Sequence, residues 1–66
     1  MKATINGESR EFEAEPTFAE LLDLLGLPFS GIAVARNDRV VRRAVLAEER
    51  VREGDRIEII RAVAGG

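Results

Sequence analysis

Gly65-Gly66 closes the 66-residue sequence and has the clearest capacity for chemistry. Two glycines weaken strand pairing, bury no side chain and lose the most conformational entropy when ordered, so a small fold gains nothing from them there. A second molecule does gain. An enzyme that must reach a terminal carboxylate through a narrow channel needs a slender extension without Cβ atoms, and Gly65-Gly66 meets that need. A carboxylate is a poor electrophile at neutral pH. It becomes an acyl or sulfur donor only after activation, most economically as a mixed anhydride with AMP formed from ATP. A sulfur source can then displace AMP and leave a thiocarboxylate on a protein handle. Gly66 is therefore the expected modified residue, with Gly65 and Ala64 as its tail.

The rest of the sequence offers no competing chemistry. It holds no cysteine and no histidine, which removes disulfides, thiol nucleophiles, the commonest metal ligand and the commonest general base. Ser9, Thr17 and Ser30 have no histidine to activate them. Glu48-Glu49, and Glu53 with Asp55, are carboxylate pairs on stretches read as solvated, with no pocket to raise either pKa. At 66 residues the chain is one domain near the lower size limit for a disulfide-free core. It is expected to be no enzyme and to bind no metal or cofactor of its own. No basic-then-apolar leader opens the sequence, and charges interrupt every apolar run, so a cytoplasmic protein without a membrane partner is expected. A net charge of −2 argues against a nucleic-acid partner. The charge is uneven: residues 1–31 hold two cations against six acids, and the remainder eight arginines against six acids. Such asymmetry can orient an encounter.

The elements that must position the tail follow from local pattern. Met1, Ala3 and Ile5 alternate with Lys2 and Thr4 as a half-buried strand, and Asn6-Gly7 is a hairpin signal. Residues 9–14 form the return strand, with Phe12 its core residue. Pro16 ends it, and Thr17-Phe18-Ala19-Glu20 is a capping box that opens a helix. Phe18, Leu21, Leu22 and Leu25 make one apolar stripe, Gly26 suits a left-handed stop, and Pro28 prevents resumption. Ile32 to Ala35 is an inner strand, Asn37-Asp38 a turn, and Val40-Val41 a brief edge strand. Residues 42–52 carry no readable pattern. Glu53-Gly54-Asp55 turns the chain into a last strand, Arg56 to Arg61, with Ile57 and Ile59 on one face and Glu58 and Ile60 on the other.

One helix on a mixed sheet of four or five strands is an α+β architecture of the β-grasp, ubiquitin-like kind. Its domain spans residues 1–61, and residues 62–66 are a flexible tail. The first and last strands are natural central neighbours. Ile60, Val63 and Ala64 are the expected partner contacts, since Ile60 points away from the helix and the other two lie on the exit path.

The sequence resembles the ThiS family, the sulfur carriers of thiamine thiazole biosynthesis, over nearly its whole length. The resemblance rests on Ile5-Asn6-Gly7-Glu8, Thr17-Phe18-Ala19-Glu20-Leu21-Leu22, Ile32-Ala33-Val34-Ala35-Arg36-Asn37 and, most specifically, residues 53–66. It implies that a ThiF-type enzyme adenylates Gly66 with ATP and magnesium, that a sulfur donor system converts it to a thiocarboxylate, and that thiazole synthase takes the sulfur. The family often places a proline, then an arginine and a tryptophan, soon after the fourth strand. This chain reads Val41-Arg42-Arg43-Ala44-Val45-Leu46, so no partner contacts are carried over to that stretch. The small subunit of molybdopterin synthase shares the fold and terminal Gly-Gly but is usually longer and more hydrophobic at its permanent interface, and carriers that serve cysteine or other sulfur pathways share the same tail chemistry. A ubiquitin-like binding module, never chemically modified, is the alternative from a different class.

Overall fold

The computed structural model describes residues 1–61. Strand β1 (Lys2–Ile5) turns at Asn6-Gly7 into β2 (Glu8–Glu11), and helix α1 (Phe18–Leu24) follows. Strand β3 (Ile32–Arg36) and β4 (Arg39–Val41) form a second hairpin. A 3-10 turn (Arg43–Val45) and an irregular crossing lead to β5 (Arg56–Arg61). The sheet order is β2-β1-β5-β3-β4, with β1 and β5 parallel and the other neighbours antiparallel. The first and last strands are thus adjacent at the centre, as the absence of internal proline and the alternation of both had implied.

Helix α1 is set by local chemistry at both ends. The Thr17 hydroxyl accepts from the Glu20 backbone N–H at 3.1 Å, and the Glu20 carboxylate accepts from the Thr17 N–H at 2.8 Å, a complete capping box. At the other end Gly26 adopts φ 71°, its N–H donates to the Asp23 carbonyl, and the Leu27 N–H donates to the Leu22 carbonyl. That pair of bonds is a Schellman stop, which needs the left-handed conformation glycine tolerates. Between the ends, Phe18, Leu21 and Leu22 are completely buried, while Leu25 at the C-cap is half-buried. A seven-residue helix is not stable alone, so these three side chains, each worth about 1.5–3 kcal/mol on burial, hold it to the sheet.

The core is completed from the inner face of the sheet by Ala3, Ile5, Val34, Ile57 and Ile59, and from the crossing by Leu46 and Val51. Three local expectations are corrected. Strand β2 ends at Glu11 rather than residue 14, because beyond Phe12 the chain leaves β1. Its next partners lie in the crossing, where the Val51 N–H donates to the Pro16 carbonyl and Thr17 bridges Arg50. Phe12 accordingly packs on the core's margin, half-buried, rather than within it. Asp55 is buried rather than solvated. Its Oδ2 accepts from the Arg52 N–H at 2.8 Å and from Arg36 Nε at 3.1 Å, and its Oδ1 accepts from Asn37 Nδ2 at 3.2 Å.

Candidate functional site

Strand β5 carries the chain towards the tail, and its two faces have separate tasks. Ile57 and Ile59 face the helix and are buried, whereas Ile60 is 63% exposed on the opposite face. Antiparallel pairing sets Ile60 beside Ala33 and Glu58 beside Ala35, and the β3–β4 hairpin then sets Ala35 beside Val40. Val40 is 77% exposed. Ile60, Ala33, Ala35 and Val40 therefore share one outer face on three adjacent strands, with Glu58 at its margin.

Of the residues expected at the site, the structure places Ile60 as anticipated. Val63, Ala64, Gly65 and Gly66 lie outside the described residues. Sequence reading missed Val40 and Ala33. A signal for them existed: a two-residue turn at Asn37-Asp38 fixes the register that turns Val40 outward and Val41 inward. Both turn residues adopt positive φ, 48° and 70°, as that turn requires.

The base of the tail is fixed on both sides of β5. On the β3 side the ladder runs without interruption from Ile57 to Arg61. On the β1 side, paired residues stop at Thr4↔Arg56 and Ile5↔Ile57. There Asn6 takes over: its backbone N–H donates to the Ile57 carbonyl at 2.8 Å, its Oδ1 accepts from the Ile59 N–H at 2.8 Å, and its Nδ2 donates to the Ile59 carbonyl at 3.3 Å.

Elsewhere the described surface is charged. A shallow groove between β2 and α1 is bordered by Glu11, Glu13, Glu15, Glu20 and Asp23, with exposed Leu24. The Glu20 carboxyl is held below its ordinary value, chiefly by the Thr17 N–H and against desolvation, with lesser help from the Thr17 hydroxyl and Arg50. Asp38 holds the Arg56 guanidinium above its ordinary value by hydrogen bonding and charge. Among the described residues no cluster of three or more carboxylates is placed to hold a metal ion, and no helix is long and apolar enough to cross a membrane.

One helix on a five-stranded mixed sheet in this order defines a ubiquitin-like protein of the β-grasp fold. The family model that describes the ThiS family matches residues 3–66, and the chain belongs to that family of sulfur carriers. The chain is 33% identical over 66 residues to the sulfur carrier protein ThiS of Escherichia coli, covering all of both sequences. It is 41% identical over 66 residues to a thiazole synthase of Paramagnetospirillum magneticum, covering all of this chain and only 20% of that longer protein. The chain thus spans about a fifth of the thiazole synthases it matches. Among solved structures, a thiamine biosynthesis protein, ThiS, from Geobacter metallireducens superposes with a TM-score of 0.84 at 29% identity, each chain covered in full.

Proposed function

We propose that this carrier is charged with sulfur at the Gly66 carboxylate and delivers it to the synthesis of the thiamine thiazole. One observation carries the reading: the family match runs through the terminal Gly65-Gly66. That match takes in residues 62–66, the tail that the charging chemistry needs.

Charging proceeds in two balanced steps. A Gly66 carboxylate oxygen attacks the α-phosphorus of ATP, a P–O bond forms, and pyrophosphate leaves. Hydrosulfide, or an equivalent sulfur at the same oxidation level, then attacks the acyl carbon. The C–S bond forms, the bond to AMP breaks, and the thiocarboxylate remains with no net oxidation or reduction. Gly65 and Ala64 present no bulk that would hold the acyl carbon away from an active site. ATP and magnesium belong to a ThiF-type adenylating enzyme, and the sulfur to a donor system, both cytoplasmic in this reading. The exposed strip of Ile60, Ala33, Ala35 and Val40 is the docking face, extended by Val63 and Ala64 along the tail. Desolvating such apolar side chains is the ordinary source of affinity at a small interface.

Thiazole synthase is the proposed acceptor. The support is that relatives named thiazole synthase contain, within one chain, a stretch 41% or 38% identical to this protein. A carrier and its acceptor gain effective concentration when joined, so their fusion is a sign that the two act in sequence.

The test is the intact mass of the protein after incubation with an adenylating enzyme, ATP, magnesium and a sulfur donor, beside a variant lacking Gly66. The expected result is a gain equal to exchange of one oxygen for sulfur in the full chain and none in the variant. No gain in the full chain, with an enzyme active on another carrier, would favour an unmodified binding module instead.

A further inference from the structure

Asn6 occupies a hairpin turn at φ 49°, where glycine would serve the backbone equally well. An aspartate there could accept a hydrogen bond but not donate one. Asparagine alone tolerates this conformation and offers both groups on one planar carboxamide. Both are used, and on a single distant residue: Asn6 binds the N–H and the carbonyl of Ile59, 53 positions along the chain. The carboxamide so imitates one more strand residue and extends the β1 edge of β5 past the point where β1 turns away. Ile59 lies two residues before the end of β5 and directly precedes exposed Ile60. Among the described residues no other hydrogen bond from the β1 side reaches β5 beyond Ile57.

We infer that Asn6 is a positioning residue for the carrier's tail. By fixing the Ile59 peptide on the edge that β1 has left, it works with the β3 ladder to hold the described end of β5 and the orientation of the outward Ile60. A partner enzyme that docks on Ile60 then has less conformational freedom to remove at the described end of β5 before it acts on the terminal carboxylate. The inference rests on the reading of Gly66 as the charged residue, and it assigns to the first hairpin a part in a reaction at the opposite end of the sequence.

Two substitutions separate positioning from mere stabilisation. Asn6→Gly keeps the positive φ and the backbone bond to Ile57 but removes both bonds to Ile59. Asn6→Asp keeps the acceptor for the Ile59 N–H and loses the donor for its carbonyl. Amide exchange of the free proteins and the dependence of thiocarboxylate formation on carrier concentration are then measured with the adenylating enzyme. In Asn6→Gly the Ile59 amide is expected to exchange about tenfold faster while the Leu21 and Val51 amides change far less, since the loss is local. KM for the carrier is expected to rise about fivefold, with the saturated rate within about twofold of the parent, because the ordering cost moves to the binding step. Asn6→Asp should fall between the two. An unchanged KM in both variants, with the parent fully charged, would overturn the inference alone. Equal acceleration of exchange at Ile59, Leu21 and Val51 would overturn it in favour of a purely structural role. Failure to charge the parent would overturn the reading of Gly66 and this inference with it.

Discussion

At the start of β5, Asn37 sits in a hairpin turn at φ 48°, accepts the Arg56 N–H on its side-chain oxygen at 2.9 Å and donates its own N–H to the Arg56 carbonyl at 2.8 Å. Further along the same strand, Asn6 at φ 49° does nearly the same for Ile57 and Ile59. The surroundings differ. The Asn37 amide is backed by buried Asp55, Asp55 by Arg36, and the Arg36 guanidinium lies 4.9 Å from the centre of the buried Phe18 ring and also bonds the Arg50 carbonyl. No such second layer backs the Asn6 carboxamide among the described residues. The entrance to β5 is tied through several groups into the core, whereas the exit on the β1 side depends on one side chain. An end fixed by many contacts serves the fold. An edge held by one side chain, with β3 holding the other edge, can be altered by a single substitution, which suits a segment that must meet a partner.

The largest expected effect lies at the entrance. Asp55→Ala leaves Arg36, Asn37 and the Arg52 N–H without their shared acceptor, and removing one member of a largely buried ionic group costs about 3 kcal/mol. A domain of this size holds roughly 3–10 kcal/mol in total, so urea denaturation should find the variant close to its unfolding limit at 25 °C. Amides throughout the core should exchange together. A loss below about 0.5 kcal/mol, within the range of ordinary surface changes, would mean that the entrance is no better anchored than the exit and would break the comparison.

A smaller effect on stability and a larger one on function are expected just past the exit. Ile60→Glu replaces an exposed side chain on the outer face, so stability should stay within about 0.5 kcal/mol of the parent. A charge placed in an apolar docking strip has to be desolvated, and the carrier's KM with the adenylating enzyme should rise by about tenfold or more. Val40→Glu, two strands away on the same face, should act in the same direction. If both variants are charged as readily as the parent, the outer strip is an ordinary surface and the exit of β5 serves nothing on that side.

Much of this arrangement was legible where the signals were local. Thr17 and Glu20 are three residues apart, Phe18, Leu21 and Leu22 repeat at helical spacing, and Gly26 marks the stop, so α1 could be read with its bounds. Alternation in β1 and β5 identified Ile5, Ile57 and Ile59 as inward and Ile60 as outward. Asp55 was misread because its partners Arg36 and Asn37 lie 19 and 18 positions away and meet it only once β3 and β5 have paired. Residues 42–52 stayed unreadable for a related reason: Leu46 and Val51 each fill the core singly from an irregular crossing, which leaves no period. The Asn6-Gly7 pair was recognised as a turn, yet nothing in a local pattern tells that the asparagine's side chain has work at Ile59. The terminal glycines were legible by residue type, since chemistry at a carboxylate needs no fold to be recognised, but their placement lies outside the described residues.

A change remote from both ends of β5 supplies the scale for the comparison. Thr17→Ala removes one half of the capping box and should cost about 1 kcal/mol by thermal or urea unfolding. It loosens the helix without touching either asparagine, so the ratio of protection at Arg56 to that at Ile59 should not move. The Glu20 half adds a pH dependence of known sign. Its carboxyl is held below the ordinary value in the folded protein, chiefly by the Thr17 N–H. The stabilisation is therefore complete above the unfolded value of about 4.3 and lost as pH falls through the lower folded value. Glu20→Gln can still close a capping box but carries no charge. The melting temperatures of parent and Glu20→Gln should thus differ slightly at neutral pH and converge as pH drops below about 4. A difference that persists undiminished to pH 2 would assign the cap to shape rather than charge. A shift in the Arg56-to-Ile59 protection ratio along the same titration would mean that the helix and the exit of β5 are coupled. The β1 edge of the exit would then no longer depend on Asn6 alone.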